Sequence, residues 1–298
     1  MKLKELTTPI RMYWDIGPTD HIGLSDYQRI AGEIAATKFL SLQITETAPV
    51  LSEAALTALE TLASKPVALS LVLTQPTLDD HLFSLLRRFH LTTLFLTAST
   101  VAELIAIPAA GGRVAGKPDI GISFPVTREN YRDLPAVLSL CAEKAVQHLL
   151  LPMQRLLNGE KCFWLTREER DALTKRLMQI DRPAGLKITI HDPFLWKAFY
   201  PSVDFPGGGC QAANTMLYIS TDADVYPCPV MPLKLGTLMG SSLRDLIRSE
   251  QKQEIRKNII TAARPCVECE ELQSCRGGCR GRVYAVHSSF QDADPACS

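Results

Sequence analysis

The first 140 residues contain no cysteine, and the whole chain carries no excess of either charge: thirty-two Lys and Arg stand against thirty-two Asp and Glu. The first absence excludes a disulfide-stapled scaffold for nearly half of the chain. The second removes any global field that would recruit nucleic acid or an anionic membrane, so partner choice has to be local. Long hydrophobic runs are missing too. Ala68 to Leu73 and Leu149 to Leu151 are strand-sized, far short of the roughly 20 residues that span a bilayer. The opening MKLKELTTPIRMYWDI has no apolar stretch followed by a small-residue cleavage site, so no signal peptide is expected and the cytoplasm is the default location. No repeat of fixed period and no low-complexity tract is present.

What is there is a chain of 298 residues, 46% apolar, long enough for one large and one smaller domain. From residue 10 to about 200, strand-like and helix-like segments alternate. Ile10 to Ile16 reads as the first strand. Ser25 with Gln28 predicts a capping box, and Tyr27, Ile30, Ala31, Ile34 and Ala35 form the apolar stripe of the helix behind it. The plan repeats through strands at Phe39 to Thr45, Val67 to Leu73, Thr92 to Thr97, Ile120 to Phe124, Leu149 to Leu151 and Leu186 to Ile190. Helices are predicted over Ser52 to Leu62, Leu78 to Phe89, Val101 to Ile107 and Tyr131 to Val146, and from a Thr166/Glu169 capping box to about Ile180. Strands alternating with helices imply a parallel sheet with right-handed crossovers, and six to seven units fall short of the eight that close a barrel. The expected fold is therefore α/β, an open, partial parallel β/α barrel over residues 1–204. The turn-rich Phe205-Pro206-Gly207-Gly208-Gly209 marks a boundary, and residues 205–298 read as a small cysteine-rich domain with short helices. Its hairpin is predicted from Met216 to Ser220 and Asp224 to Tyr226, and Ser241 or Ser242 caps a helix beginning at Leu243.

Seven of the nine cysteines lie between Cys210 and Cys297. The core of the pattern is Cys266-Val-Glu-Cys269 followed by Cys275 and Cys279, with Cys210 and Cys228 upstream and Cys297 downstream. Two thiolates three residues apart can reach one metal centre, and the backbone N–H groups between them can point at sulfur. Arg276, Gly277, Gly278, Arg280 and Arg282 let backbone approach closely and set positive charge beside an anionic centre. Zinc commonly uses paired C-x2-C elements, but only one such pair exists here and seven thiols cannot fill two four-thiolate zinc sites. Spacing alone favours iron–sulfur, with a zinc-stabilised binding module as the alternative.

The order Cys210, Cys228, Cys266, Cys269, Cys275, Cys279, Cys297 resembles the signature of the SPASM domain, the auxiliary-cluster module of radical SAM peptide-maturation enzymes. TDADVYPC is similar to that family's PDGxVxPC, with Ala223 where the family usually has the turn glycine, and LGTLMGSSLRDLI is similar to its glycine-plus-helix linker. The resemblance implies two iron–sulfur clusters of the [4Fe-4S] type. One would be held by Cys266, Cys269, Cys275 and Cys297, the other by Cys210, Cys228 and Cys279 with an unassigned fourth ligand. The first part of the chain resembles the radical SAM core, whose first strand leads into a loop carrying C-x3-C-x2-C. Here IRMYWDI runs into Gly17-Pro18-Thr19-Asp20-His21 without a cysteine, and Thr45-Glu46-Thr47-Ala48-Pro49 stands where the family has a GGEP-like turn. By this resemblance S-adenosylmethionine is not expected as a cofactor. The whole organisation resembles the SPASM-domain companion proteins of GeoRSP peptide-modification systems, which implies a separate radical SAM enzyme and a precursor peptide as partners, with no nucleic acid and no membrane.

The remaining candidates read as structural. Cys141 falls in a helical apolar stripe and Cys162 in a distant loop, and both are expected to be buried or incidental thiols. His21 and His191 have no second ligand at fixed spacing. Tyr13, Trp14 and Asp15 are expected as barrel lining and edge residues, and Glu168-Glu169-Arg170 as a solvated helix face. No acid, base or nucleophile set is recognisable in the barrel, so an independent enzyme using an open iron of the three-cysteine cluster is the minor alternative to an accessory protein that relays electrons or docks a peptide.

Overall fold

The computed structural model describes residues 6, 8–37, 39–74, 79–107, 118–156, 161–182, 184–206 and 209–297. Seven strands, β1 (Arg11–Ile16), β2 (Ser41–Glu46), β3 (Ala68–Leu73), β4 (Thr93–Thr97), β5 (Asp119–Ser123), β6 (His148–Leu151) and β7 (Lys187–Ile190), lie side by side in chain order, each parallel to the next. The connecting helices are α1 (Leu24–Ala36), α2 (Glu53–Leu62), α3 (Asp80–Leu86), α4 (Val101–Ala106), α5 (Leu134–Glu143) and α6 (Arg167–Leu177), and α7 (Pro193–Phe199) follows β7. Two-residue periodicity sorts the faces of the strands. Met12, Trp14 and Ile16 of β1 point into the main core against the helices, where Trp14 stacks on Tyr27 of α1 at 6.1 Å between ring centroids. The opposite, concave face carries Val72, Phe95 and Leu150, which form a small cluster of their own.

The expected open barrel is present, but the sheet is larger than the α/β repeat alone implies. Strand β8 (Met216–Ile219) pairs parallel with the free side of β1, placing Met216 opposite Arg11. The hairpin continues antiparallel through β9 (Asp224–Tyr226) to β10 (Gly236–Thr237), giving one ten-stranded sheet in the order β10-β9-β8-β1-β2-β3-β4-β5-β6-β7. Among the described residues β7 pairs only with β6, so the sheet does not close. The sheet thus runs across the sequence boundary at 204/205; Gly207 and Gly208 of that boundary lie outside the described residues.

Local signals place most elements, with some corrections. Helix α1 begins earlier than the Ser25/Gln28 box predicts: Gly23 is its cap, and the Asp26 carboxylate reaches back to accept from the Gly23 N–H at 3.2 Å. Asp26 wins because it stands at the third helical position, where a short acid meets the cap N–H. The Thr166/Glu169 box of α6 is formed in both directions, at 3.3 and 3.0 Å. The helix expected over Tyr131 to Val146 is instead a 3-10 turn followed by α5, and it ends where Ala145 turns left-handed at φ 53°. The helix predicted from Leu78 starts at Asp80 with Asp79 as its cap; Leu78 itself lies outside the described residues. In the hairpin, Ala223 adopts the left-handed φ of 58° that the missing glycine would take, so the turn survives the substitution. Beyond it lie α8 (Leu243–Arg248), capped by Ser242 as expected, α9 (Glu250–Ile260), α10 (Leu272–Cys275) and α11 (Arg280–His287).

Candidate metal centre

The cysteine loop is built from short turns that alternate direction. Cys266 closes a 3-10 turn on Ala263, the Cys269 N–H donates to the Cys266 carbonyl at 3.2 Å, and the Cys275 N–H donates to the Glu271 carbonyl at 2.9 Å. Three consecutive left-handed residues, Arg276, Gly277 and Gly278, then reverse the chain into Cys279, the cap of α11. Gly278 is required twice over. Its φ is +67°, and a Cβ there would stand 2.5 Å from Asp294 Oδ2. Cys297 is delivered by a separate turn whose N–H donates to the Asp294 carbonyl at 2.8 Å.

The thiols fall into two groups by their effect on one another. Burial raises the pKa of Cys297, and negative charge on Cys275, Cys269 and Cys266 raises it further. Cys266 is raised by burial and then by Cys275 and, less strongly, Cys269. In the second group burial pushes Cys228 up to about 12 and Cys210 adds to the rise. Cys279 is held well above its ordinary value by burial, with Cys210 again among its neighbours. Four thiols thus act on one another at one place and three at another. Among the described residues no three or more His, Cys, Asp or Glu side chains close on one ion-sized point, so the grouping rests on these mutual effects.

The chemistry of the donor set suits an iron–sulfur cluster. Every donor is sulfur, and a cysteine that binds a metal does so as thiolate, releasing its proton. Backbone N–H groups aim at the sulfurs: the Arg282 N–H donates to Cys279 Sγ at 3.5 Å, Val230 and Met231 to Cys228, and Ala212 and Arg280 to Cys210. Such donors stabilise thiolate and tune a cluster. Positive charge surrounds the same ground. Arg256 Nη1 donates to the Cys210 carbonyl at 2.6 Å, and Arg282, only 1% exposed, binds Asp294 through Nε (2.7 Å) and Nη2 (2.9 Å) and pairs with Asp192 through Nη1. Burial pulls the Arg282 pKa down, but Asp192 and Asp294 outweigh it and leave the guanidinium well above its ordinary value.

A cavity of about 540 Å³ opens beside the second thiol group, where the sheet fails to close. Cys210, Cys228 and Cys279 line it, as does Cys275 of the first group, together with Ile188 to His191 at the β7 edge and Met216 of β8.

Residues read from sequence as bland divide on inspection. Cys141 is fully buried on α5, and burial pushes it up to about 12. Cys162 is half-buried and raised by burial to about 11, with Arg282, Asp294 and Asp192 in range. His21 is exposed, bonded to Thr19 Oγ1 at 2.9 Å and 3.4 Å from Asp222. His191 lines the cavity; its Nε2 lies 3.3 Å from the Tyr13 hydroxyl, and burial, then Arg11 and Arg155, push it down to about 4, so the ring is neutral. Asp15 is no edge residue. Only 1% exposed, it accepts from Arg155 Nε at 2.7 Å and Nη2 at 3.2 Å, and from the Tyr218 hydroxyl at 2.8 Å. The solvated reading of Glu168-Glu169-Arg170 also fails in part: Glu169 pairs with Arg128 at 2.5 Å, and Arg170 packs over the Phe194 ring and donates to the Ala296 carbonyl at 3.3 Å. Asp192 and Asp294 do not stand out in the sequence, although Asp192-Pro193 is a helix-start signal and Asp294 precedes Pro295 in the turn that carries Cys297.

Comparison with known proteins identifies the domain that carries the first of these cysteines. Residues 210–270 match the SPASM family, described as an iron–sulfur cluster-binding domain. An AdoMet-dependent heme synthase of Methanosarcina barkeri is 24% identical over 89 residues, 30% of this chain, and the chain spans only a quarter of that relative's length. Among solved structures, Streptococcus suis SuiB bound to the precursor peptide SuiA is similar over 99% of this chain and 77% of its own, with a TM-score of 0.73 and 16% identity. Native anSMEcpe with bound AdoMet is similar over 96% of this chain and 94% of its own, with a TM-score of 0.63 and 15% identity. These structural likenesses establish the fold.

Proposed function

From a chain that carries a SPASM iron–sulfur cluster-binding domain on the fold of radical SAM proteins, we propose an accessory protein for peptide modification. It holds one [4Fe-4S] cluster on Cys266, Cys269, Cys275 and Cys297 and a second on Cys210, Cys228 and Cys279, and it relays electrons to, or presents a precursor peptide to, a separate radical SAM enzyme. The observation that carries this reading is seven cysteines between Cys210 and Cys297 in a chain whose first β/α loop has no cysteine. Two features, one in that first loop and one at the end of β2, support it. The Gly17 position packs against Thr47, so closely that a Cβ there would stand 1.8 Å from Thr47 Oγ1, and the Tyr27 hydroxyl donates to the Gly17 carbonyl at 3.2 Å. Glu46 is committed as well, accepting from Ala48 N at 2.9 Å, Ser52 N at 2.8 Å and Ser52 Oγ at 2.5 Å.

In this role the clusters supply one-electron chemistry when bound. The protein's own groups hold them: Arg282 and Asp294 fix the backbone of Cys279, and the N–H groups of Val230 and Met231 orient Cys228. Anaerobic reconstitution with iron and sulfide, followed by metal and sulfide analysis and assay for reductive cleavage of S-adenosylmethionine, tests the proposal. The expected result is stoichiometric sulfide without cleavage; zinc without sulfide, or cleavage by the isolated chain, overturns it. The cavity against the three-thiol group favours a second reading, a ligand-binding or redox enzyme working at that cluster, which turnover of a small molecule by the isolated chain would establish.

A further inference from the structure

Three cysteines leave one iron of a cubane without a protein ligand, and the walls of the adjoining cavity offer few groups to take it. Gln154 is spent on the backbone of Phe163, donating to its carbonyl and accepting from its N–H, each at 2.7 Å. Asp192 is spent too: Oδ1 accepts from the N–H groups of Phe194 and Leu195 at 2.8 Å, and Oδ2 pairs with Arg282. His191 is different. Its ring lines the same cavity as Cys210, Cys228 and Cys279, and its only described hydrogen bond is from Nε2 to Tyr13. It is tied to the thiols from two sides. Tyr13, its partner, lies close enough to Cys228 to feel that thiol's charge. Asp192, its chain neighbour, holds Arg282, whose backbone N–H donates to Cys279 Sγ.

Resting on the reading that these three thiols hold a cluster, we infer that His191 is its fourth protein ligand, bound through Nδ1 while Nε2–H donates to the Tyr13 hydroxyl. That hydrogen bond is what a ligating histidine requires, because it selects the tautomer and fixes the plane of the ring. Cys162 is the competing ligand. It senses Arg282, Asp192 and Asp294 but is not part of the cavity wall; Cys275 does line the wall, and the proposed partition already commits it to the four-thiol group. A histidine in place of a fourth thiolate gives a cluster of higher reduction potential than its all-cysteine neighbour.

The test is pulsed EPR on the reduced, anaerobically reconstituted full chain, with iron and sulfide counted on the same sample. The wild type is expected to show one strongly coupled, directly bound nitrogen, distinct from the weak couplings of backbone amides. His191→Ala should lose it, and imidazole should restore it. His191→Cys should keep full iron, lose the nitrogen and shift the potential downward, which covers the case in which the alanine variant folds poorly. Cys162→Ala should leave the spectrum unchanged. Full clusters without bound nitrogen, nitrogen that survives in His191→Cys, or loss of iron in Cys162→Ala overturns the inference alone. Absence of sulfide overturns it together with the cluster reading.

Discussion

Asp294 ties the two thiol groups to each other, and replacing it with Asn tests that role sharply. It is 3% exposed and accepts four hydrogen bonds: Arg282 Nε (2.7 Å) and the Ala296 N–H (2.9 Å) on Oδ1, Arg282 Nη2 (2.9 Å) and the Cys279 N–H (2.6 Å) on Oδ2. Asparagine preserves the volume but presents one oxygen and one NH2, so two of the four donors face another donor. Hydrogen bonds to a charged group are each worth about 1.5–3 kcal/mol, and depriving a buried ion of a partner costs about 3–5 kcal/mol. Both figures describe the same contacts and do not add. Since Arg282 keeps Asp192, the lower end applies, about 3 kcal/mol. For a chain of this size that corresponds to a fall in Tm on the order of 6–12 °C. Thermal unfolding of the anaerobic holoprotein, with iron counted in parallel, reads it out. Iron should be lost from both groups, because Cys279 and the turn of Cys297 hang on the same carboxylate. Arg282→Met with Asp294→Asn should cost less than the two singles summed, by more than about 1 kcal/mol. A Tm within about 2 °C of wild type at full iron content would refute the reasoning.

Cys269→Ser should remove about half of the iron and sulfide while leaving the three-thiol group loaded; unchanged metal content sinks the grouping. Gly278→Ala forces a Cβ into the Asp294 carboxylate at a φ of +67° and should destabilise the holoprotein by at least about 2 kcal/mol in a denaturant titration. Glu169 is partly desolvated, which raises its pKa, but the Arg128 contact outweighs burial and leaves it below the ordinary 4.5. Its contribution, about 0.5–1 kcal/mol for a pair this exposed, is therefore full above that value and fades as the pH falls through the lowered one. The Tm gap between wild type and Glu169→Gln should narrow from pH 6 to pH 4, and a gap that widens contradicts the assignment.

The parts of the fold legible in sequence are those governed by short-range rules. The stripe of Tyr27, Ile30, Ala31 and Ile34, the Thr166/Glu169 box and the hairpin around Ala223 each depend on residues within a few positions of one another. The four-plus-three division of the thiols enters differently, through resemblance, because spacing alone does not partition them. What cannot be read depends on separation along the chain. Asp15 meets Arg155 across 140 positions and Tyr218 across 203, and Arg282 meets Asp192 across 90. No periodicity encodes such pairs, so an acid that closes a buried network looks the same in sequence as one on a strand edge. Helix α7 escapes for another reason: its apolar residues are nearly continuous, so the only local signal is Asp192-Pro193 at its start.

These long-range pairs also bear on why the sheet stays open. Burying Asp15 with Arg155 returns little net stability, because the attraction mainly offsets desolvation. Its value lies in geometry. Arg155 enters from the loop after β6, while Asp15 and Tyr218 sit on adjacent strands β1 and β8, so the pair spans the concave face and holds the two sides of the sheet at a fixed distance. Among the described residues the outer strands β7 and β10 do not pair, and Cys210, Cys228 and Cys279 line the cavity between the β7 edge and Met216 of β8. The charged strut therefore sets a directional constraint between the loop after β6 and strands β1 and β8, which apolar packing, being non-directional, does not impose.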